Sequence, residues 1–344
     1  MKIGLISSCA PFVDGGGRFI VEWLHQVLQE NGYNSEIIYI PSFDDPNCMF
    51  EQMTAFRLLS FDNYFDRVIT FRPPAHIVKH RHKIVWFIHH ARSFYDLWGT
   101  MYCPVQPDKY WSSFRANLIA ADTNALKEAR RLYTNSRVVS ERLKKYNRLD
   151  SKVLYPPVLH PERFLNKCYG DEIVSICRVE HHKRQHILVE AMAHVKSNVK
   201  LRICGVGSKS YVQDIKNTII KYNLGNKVYF ENRWISENEK IDFLSNALAH
   251  VYLPFYEDSY GYPTIEAAWS RKATITTDDS GGVSEFVINK INGLVVSNNP
   301  RDVAEAFDVM YFNKNLAMEF GNNSYERLSD MGISWKNVLS ELLQ

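Results

Sequence analysis

Short apolar runs alternate with segments of helical periodicity along the whole of this chain, and that alternation narrows its possible folds more than any other feature. In the first half KIGLIS (2–7), SEIIYI (35–40), RVITF (67–71), KIVWFI (83–88) and RRLYT (130–134) read as strands. In the second half DEIVSIC (171–177), KLRICGVG (200–207), KVYFE (227–231), HVYLP (250–254), ATITT (273–277) and NGLVV (292–296) repeat the rhythm. Helical stripes lie between them. Phe19, Ile20, Trp23, Leu24, Val27 and Leu28 share one face of a segment that Gly32 ends, and 184–197 is apolar at 187, 188, 191, 192 and 195. Strands alternating with helices predict parallel sheets covered on both faces. Two such series predict an α/β protein of two doubly wound domains facing one another, with ligands taken at the carboxyl ends of the strands.

The seam is read at LYPPVLHPERF (154–164), where two adjacent prolines and a third nearby make a stiff extended linker. The expected domains are 1–160 and 161–332, followed by an amphipathic segment, ISWKNVLSELLQ (333–344). A chain of 344 residues is long enough for two cores, and 45% hydrophobic with 23% charged residues is ordinary for a globular protein. No apolar run reaches the roughly 18–20 residues of a membrane span. MKIGLISSCAPF reads as a first strand rather than a signal peptide. Six cysteines without C-x-x-C spacing read as reduced thiols of a cytoplasmic protein. Residues 1–165 carry 21 Lys+Arg against 16 Asp+Glu, and 121–152 alone holds nine basic residues against four acids. Such a run reads either as a face for anionic membrane or a lipid-phosphate-linked acceptor, or as a solvated helix face. No nucleic-acid-reading motif accompanies it, so nucleic acid is not an expected partner.

The chemistry concentrates in three places. PFYEDSYGYPTIE (254–266) leaves a strand, passes Gly261 and enters a helix, with Asp258 and Glu266 on either side of the turn. Backbone N–H groups and the positive end of a helix there suit phosphate, while the acids suit hydroxyls of a sugar and a ribose. In SICRVEHHKRQHILVEAM, Arg178 and Lys183 fall in the turn after a strand and suit a diphosphate, with Arg184 able to replace or assist Lys183. Gly205-Val206-Gly207 is a weak glycine signal, because position 210 is Ser and the full G-x-G-x-x-G is absent. In the first half Gly15, Gly16 and Gly17 follow the first strand and allow close backbone approach. His89 and His90 end KIVWFI, and strand alternation lets only one of them point inward. His181, His182 and His186 lack companions for a metal, and the chain has no D-x-D triplet, so no metal and no cofactor is expected.

Taken in order, these motifs resemble retaining GT-B glycosyltransferases of family 4. That family carries two acids around a G-F-G-like turn and an R-x-x-x-x-K after a strand, and HKRQHILVEAM is close to its wording. YDLWGT (95–100) and TNSRVVSERLKKY (134–146) followed by VLYPPV resemble bacterial surface-polysaccharide mannosyl- and rhamnosyltransferases. The resemblance implies two Rossmann-like domains with segment 333–344 packed back on the first. It implies a nucleotide-sugar donor, GDP-mannose foremost with UDP- and dTDP-sugars as alternatives, and a glycan or lipid-linked glycan acceptor. Arg178 and Lys183 would hold the donor diphosphate, and Glu266 the ribose. Gly205, Gly207, Gly261, Tyr262 and Thr264 would line the nucleotide, with Gly15, Gly16 and Gly17 facing donor phosphates. Asp258, or Glu257 if the acid is displaced, would take donor-sugar hydroxyls together with one of His89 and His90. An epimerase or phosphorylase on the same scaffold, or a non-catalytic binding partner with a decayed site, are the competing classes.

Overall fold

The computed structural model describes residues 1–11, 16–43, 45–100, 103–257 and 259–344, so Gly15 and Asp258 lie outside the described residues. The chain divides into two compact units, Met1–Pro156 with Ser334–Gln344, and Pro157–Ile333. The division falls inside the proline-bearing segment, where neither a helix nor a central strand can continue.

The first unit is built on a parallel sheet of six strands, β1 (Lys2–Cys9), β2 (Asn34–Pro41), β3 (Arg67–Thr70), β4 (Lys83–Phe87), β5 (Arg131–Thr134) and β6 (Lys152–Val153). Their order is β2-β1-β3-β4-β5-β6. The helices are α1 (Gly16–Glu30), α2 (Met49–Leu58), α3 (Lys109–Lys127) and α4 (Arg137–Asn147). Ile20, Leu24 and Leu28 of α1 pack on Ile3, Leu5, Ile69 and Trp86 of the sheet. Asp108 and Ser136 cap α3 and α4 through side chains that accept backbone N–H groups.

The second unit repeats the plan with β7 (Glu172–Ile176), β8 (Lys200–Cys204), β9 (Val228–Glu231), β10 (Ala249–Val251), β11 (Thr274–Thr277) and β12 (Gly293–Val296). All pairs are parallel, in the order β12-β11-β10-β7-β8-β9. Its helices are α5 (Gln185–Met192), α6 (Lys209–Lys221), α7 (Glu237–Asn246), α8 (Tyr262–Trp269), α9 (Val283–Phe286), α10 (Pro300–Phe312) and α11 (Lys314–Asp330). The chain winds outward from β7 through β8 and β9, then returns to β10 and winds the other way. The switch point lies between β7 and β10, where doubly wound sheets place their ligand crevice.

The last helix, α12 (Trp335–Leu343), belongs to the first unit and buries Val338 and Leu342 in that unit's core. Its final carbonyls are held by cations, a favourable arrangement at a helix C-terminus. Arg131 Nη1 and Tyr133 OH both donate to Glu341 O at 3.0 Å, and Arg67 donates to Leu342 O. These contacts use part of the basic run. Of its nine cations, Arg130 and Arg131 bind carbonyls, while Arg142, Lys144 and Lys152 face Asp96, Asp150 and Glu341. Among the described residues no helix is long and apolar enough to cross a membrane.

Candidate active site

The loops after β7 and β10 flank the switch point and are fastened to each other. After β7 the chain runs through Arg178 and a short turn (His181–Lys183), reaches Arg184 in the left-handed region at φ +57°, and enters α5. Gln185 Nε2 donates to Arg178 O at 2.9 Å and so fixes the start of the turn. Arg178 itself is exposed, with Nη1 2.8 Å from Glu180. Lys183 is only 8% exposed, and its ammonium reaches across to the β10 loop. There it donates to Tyr252 OH at 2.6 Å and to the Glu257 carboxylate, while Tyr252 OH donates to the same carboxylate at 2.9 Å. Burial pushes the Glu257 carboxyl up, but the Lys183 charge and the two hydrogen bonds outweigh it and hold it below the usual range.

Arg184 does not assist Lys183. Its guanidinium is buried and faces the strand ends, with Nε on Leu253 O at 2.7 Å and Nη2 on Pro254 O at 2.8 Å. It also holds Asp279 in a two-pronged pair at 2.7 and 2.6 Å, and Thr277 Oγ1 at 2.8 Å. A planar fork suits this combination of carbonyls and carboxylate better than an ammonium would. Arg184 therefore ties the β10 and β11 loops together, and Asp279 is engaged with it.

Two glycines are required by this packing. Gly261, at φ +69°, sits where a Cβ would come within 2.6 Å of the Tyr252 ring. Gly205, at φ +149°, ends β8 where a Cβ would collide with Cys177 O at 1.9 Å. Gly207 is likewise pressed against Val179, and its N–H donates to Asn232 at 3.0 Å. The glycines after β8 thus press the backbone of the Arg178 turn, in addition to any part they have in lining a ligand.

Glu266 sits on α8 and is 5% exposed. Lys240 of α7 donates to it at 2.6 Å and also pairs with Glu237 at 2.8 Å. Burial raises the Glu266 carboxyl above its ordinary range, and Lys240 offsets part of that rise. Tyr262 is half-buried at the helix entry, its phenol raised by burial and by the Glu266 charge. Thr264 is fully buried, with no partner for its hydroxyl among the described residues, so it packs under the turn rather than lining an open surface.

In the first unit, Gly16 and Gly17 open α1, and both are exposed. Both histidines lie past the end of β4 at Phe87, where His90 is buried to 1% exposure and His89 stays half-buried. His90 Nε2 lies 3.0 Å from Asn147 Oδ1, and the ring packs against Tyr95 at 4.2 Å and Phe87 at 4.8 Å. His90 is therefore a core residue, a correction to its place among candidate sugar contacts, and His89 is the one left. Sequence reasoning missed Tyr252, Gln185, Lys240 and Asp279. Tyr252 reads as one more apolar residue of HVYLPF, and nothing near Lys240 in sequence points to Glu266.

Residues 168–327 match the model of the family described as glycosyl transferases group 1. The alpha-1,3/1,6-mannosyltransferase ALG2 of Dictyostelium discoideum is 27% identical over 120 residues, which span 35% of this chain and only 28% of that relative. Sucrose-phosphate synthase from Thermosynechococcus elongatus shares the fold with a TM-score of 0.78 at 17% identity, over 99% of this chain and 97% of its own. Anabaena HepE in complex with UDP does so with a TM-score of 0.70 at 13% identity, over 100% of both chains. Likeness at such identities speaks for the fold, and the family match covers the unit that holds Arg178, Lys183, Glu257 and Glu266. Residues 168–327, a little under half of the chain, are thus similar to the glycosyl transferases group 1 family, and the whole chain has the GT-B fold.

Proposed function

We propose that this chain transfers a hexose from a nucleotide-sugar to a glycan or lipid-linked glycan acceptor, with retention of anomeric configuration and without a metal. The observation that carries the reading is the buried Lys183 ammonium, held at the switch-point crevice with Arg178 on the same turn. A diphosphate leaving group needs positive charge that is in place before the bond breaks, and these two cations are the chain's means of supplying it. The sugar C1–O bond to the diphosphate breaks as the acceptor oxygen bonds to C1 on the same face. The acceptor's proton leaves with the diphosphate, which is basic enough to take it. Glu266 is assigned to the ribose. Asp258 is assigned to donor-sugar hydroxyls, because Glu257 is engaged by Lys183. His89 is the first unit's candidate for the same sugar.

GDP-mannose is the favoured donor, a choice supported by the wording of the sequence and by the mannosyltransferase name of ALG2. The UDP held by HepE keeps UDP-sugars as the second choice. A cytoplasmic protein touching an anionic membrane remains part of the reading, though Arg130, Arg131, Arg142, Lys144 and Lys152 already have partners inside the unit. The test is thermal stabilisation by GDP, UDP, dTDP, ADP and their common sugars, with EDTA present. A shift from GDP or UDP and their sugars is expected. No shift from any of them would move the chain to the class of non-catalytic partners.

A further inference from the structure

The Lys183 ammonium, assigned above to the donor's diphosphate, already holds an anion belonging to the chain. Glu257 accepts hydrogen bonds from both Lys183 and Tyr252 OH, and the Lys183 ammonium also lies 5.1 Å from the centre of the Tyr252 ring. A buried ammonium with no counter-charge is costly, so the carboxylate stabilises Lys183 while the crevice is empty. An arriving diphosphate brings negative charge to the same ammonium, and Glu257 and the diphosphate then repel each other. The backbone on either side of the carboxylate is pinned. Tyr256 N donates to Asp279 O at 3.0 Å, and Gly282 N donates to Glu257 O at 2.9 Å. The side chain can therefore rotate away without unravelling the loop. His182, on the same turn as Lys183, also interacts electrostatically with Glu257 and favours its charged form.

We propose that Glu257 is a built-in competitor for the donor diphosphate, occupying Lys183 in the empty site, yielding it when the nucleotide binds and reclaiming it as the diphosphate product leaves. This rests on the transferase reading above. In that role Glu257 weakens nucleotide binding and speeds product release. A purely structural Glu257, needed only to orient Lys183, has the opposite effect on affinity, so the sign of the change separates the two.

The experiment is calorimetric titration of GDP, UDP, dTDP and ADP into the wild type and into Glu257→Gln, with EDTA present and thermal unfolding as the check on folding. Glu257→Gln keeps the size and a hydrogen-bond acceptor but removes the charge. It should bind the preferred nucleoside diphosphate about 3- to 30-fold more tightly, the scale of one released charge–charge competition. With a donor in hand, KM and kcat should fall together as product release slows. Tyr252→Phe, which removes the hydroxyl's hydrogen bonds to Lys183 and Glu257 but leaves the ion pair, should change affinity less than threefold. A folded Glu257→Gln that binds nucleotide no more tightly than the wild type overturns the competitor role and leaves the transferase reading standing. If both proteins ignore all four nucleotides, the transferase reading falls and the competitor role with it. Binding by the variant alone would be the strongest support.

Discussion

Lys183 and Glu266 are both buried charges, and each is neutralised by a partner from another element, Glu257 for the first and Lys240 for the second. Removing one member of such a pair leaves the other uncompensated, so simple alanine variants mix loss of function with loss of stability. Lys183→Ala should cut donor turnover by 10- to 1000-fold, about 1.4–4 kcal/mol of lost phosphate stabilisation. It should also lower the melting temperature, because Glu257 is then buried without its cation. Adding Glu257→Gln to Lys183→Ala should recover most of the melting temperature and none of the turnover. Unchanged turnover in a folded Lys183→Ala would mean that the diphosphate binds elsewhere. Arg178, Lys183 and Glu266 could be singled out from the sequence because a strand-to-helix turn leaves few positions near the strand ends, so spacing carries information there. Their partners were not. Glu257 lies 74 residues from Lys183, and Lys240 lies 26 from Glu266, and only the order of strands in the sheet brings each pair together.

At the scale of elements, the site is a set of loops whose shape depends on what ties them together. Arg184 is the largest single tie, joining Leu253, Pro254, Thr277 and Asp279. Arg184→Met should cost about 3–5 kcal/mol in urea unfolding, since it strands Asp279 and two buried carbonyls at once. It should also weaken nucleotide binding although Arg184 touches no ligand. A variant with wild-type stability would show that the two loops hold their shape without it. The sequence left Arg184 open as a replacement or helper for Lys183 because the two are adjacent. The left-handed backbone at Arg184 points the two neighbours in different directions, and periodicity does not reveal such a reversal. Strand ends were misjudged for a related reason. The run expected to continue to residue 207 stops at Cys204, where Gly205 turns at φ +149°. The run expected to continue to 254 stops at Val251, where Tyr252 N still donates to Ile275 O of β11 at 3.0 Å but its carbonyl is taken by the Thr276 hydroxyl at 2.8 Å.

Across the whole molecule, the two parallel sheets follow from hydrophobic rhythm alone, because a strand buried on both faces must be apolar nearly throughout. The exception is β6, whose two residues, Lys152 and Val153, are too short and too polar to register as a strand. Two buried histidines, His90 in the first unit and His250 in the second, give both units a common pH response. Burial pushes His90 down to about 4 and His250 down to about 3, from an ordinary value of 6.5. The unfolded chain takes up these protons near pH 6.5, whereas the folded chain resists until pH 4 or below. Between those limits the unfolded state binds more protons, so stability is fully present above pH 6.5 and is lost as pH falls through the window. For His90 the loss is roughly 3 kcal/mol by pH 4. Glu128, held at about 2 chiefly by its hydrogen bonds from Arg57, adds its own loss only below its ordinary 4.5. The interval from pH 6.5 to 5 therefore lies above the Glu128 contribution, and His82, His182 and His186, also held down by burial, add to the loss there. The melting temperature should fall steadily across it, and the double variant His90→Gln/His250→Gln should reduce that fall while starting from a lower value at pH 7. A wild-type melting temperature that stays level from pH 6.5 to 5 would mean that both rings reach solvent, which would contradict the packing of His90 against Tyr95 and of His250 beside Thr274.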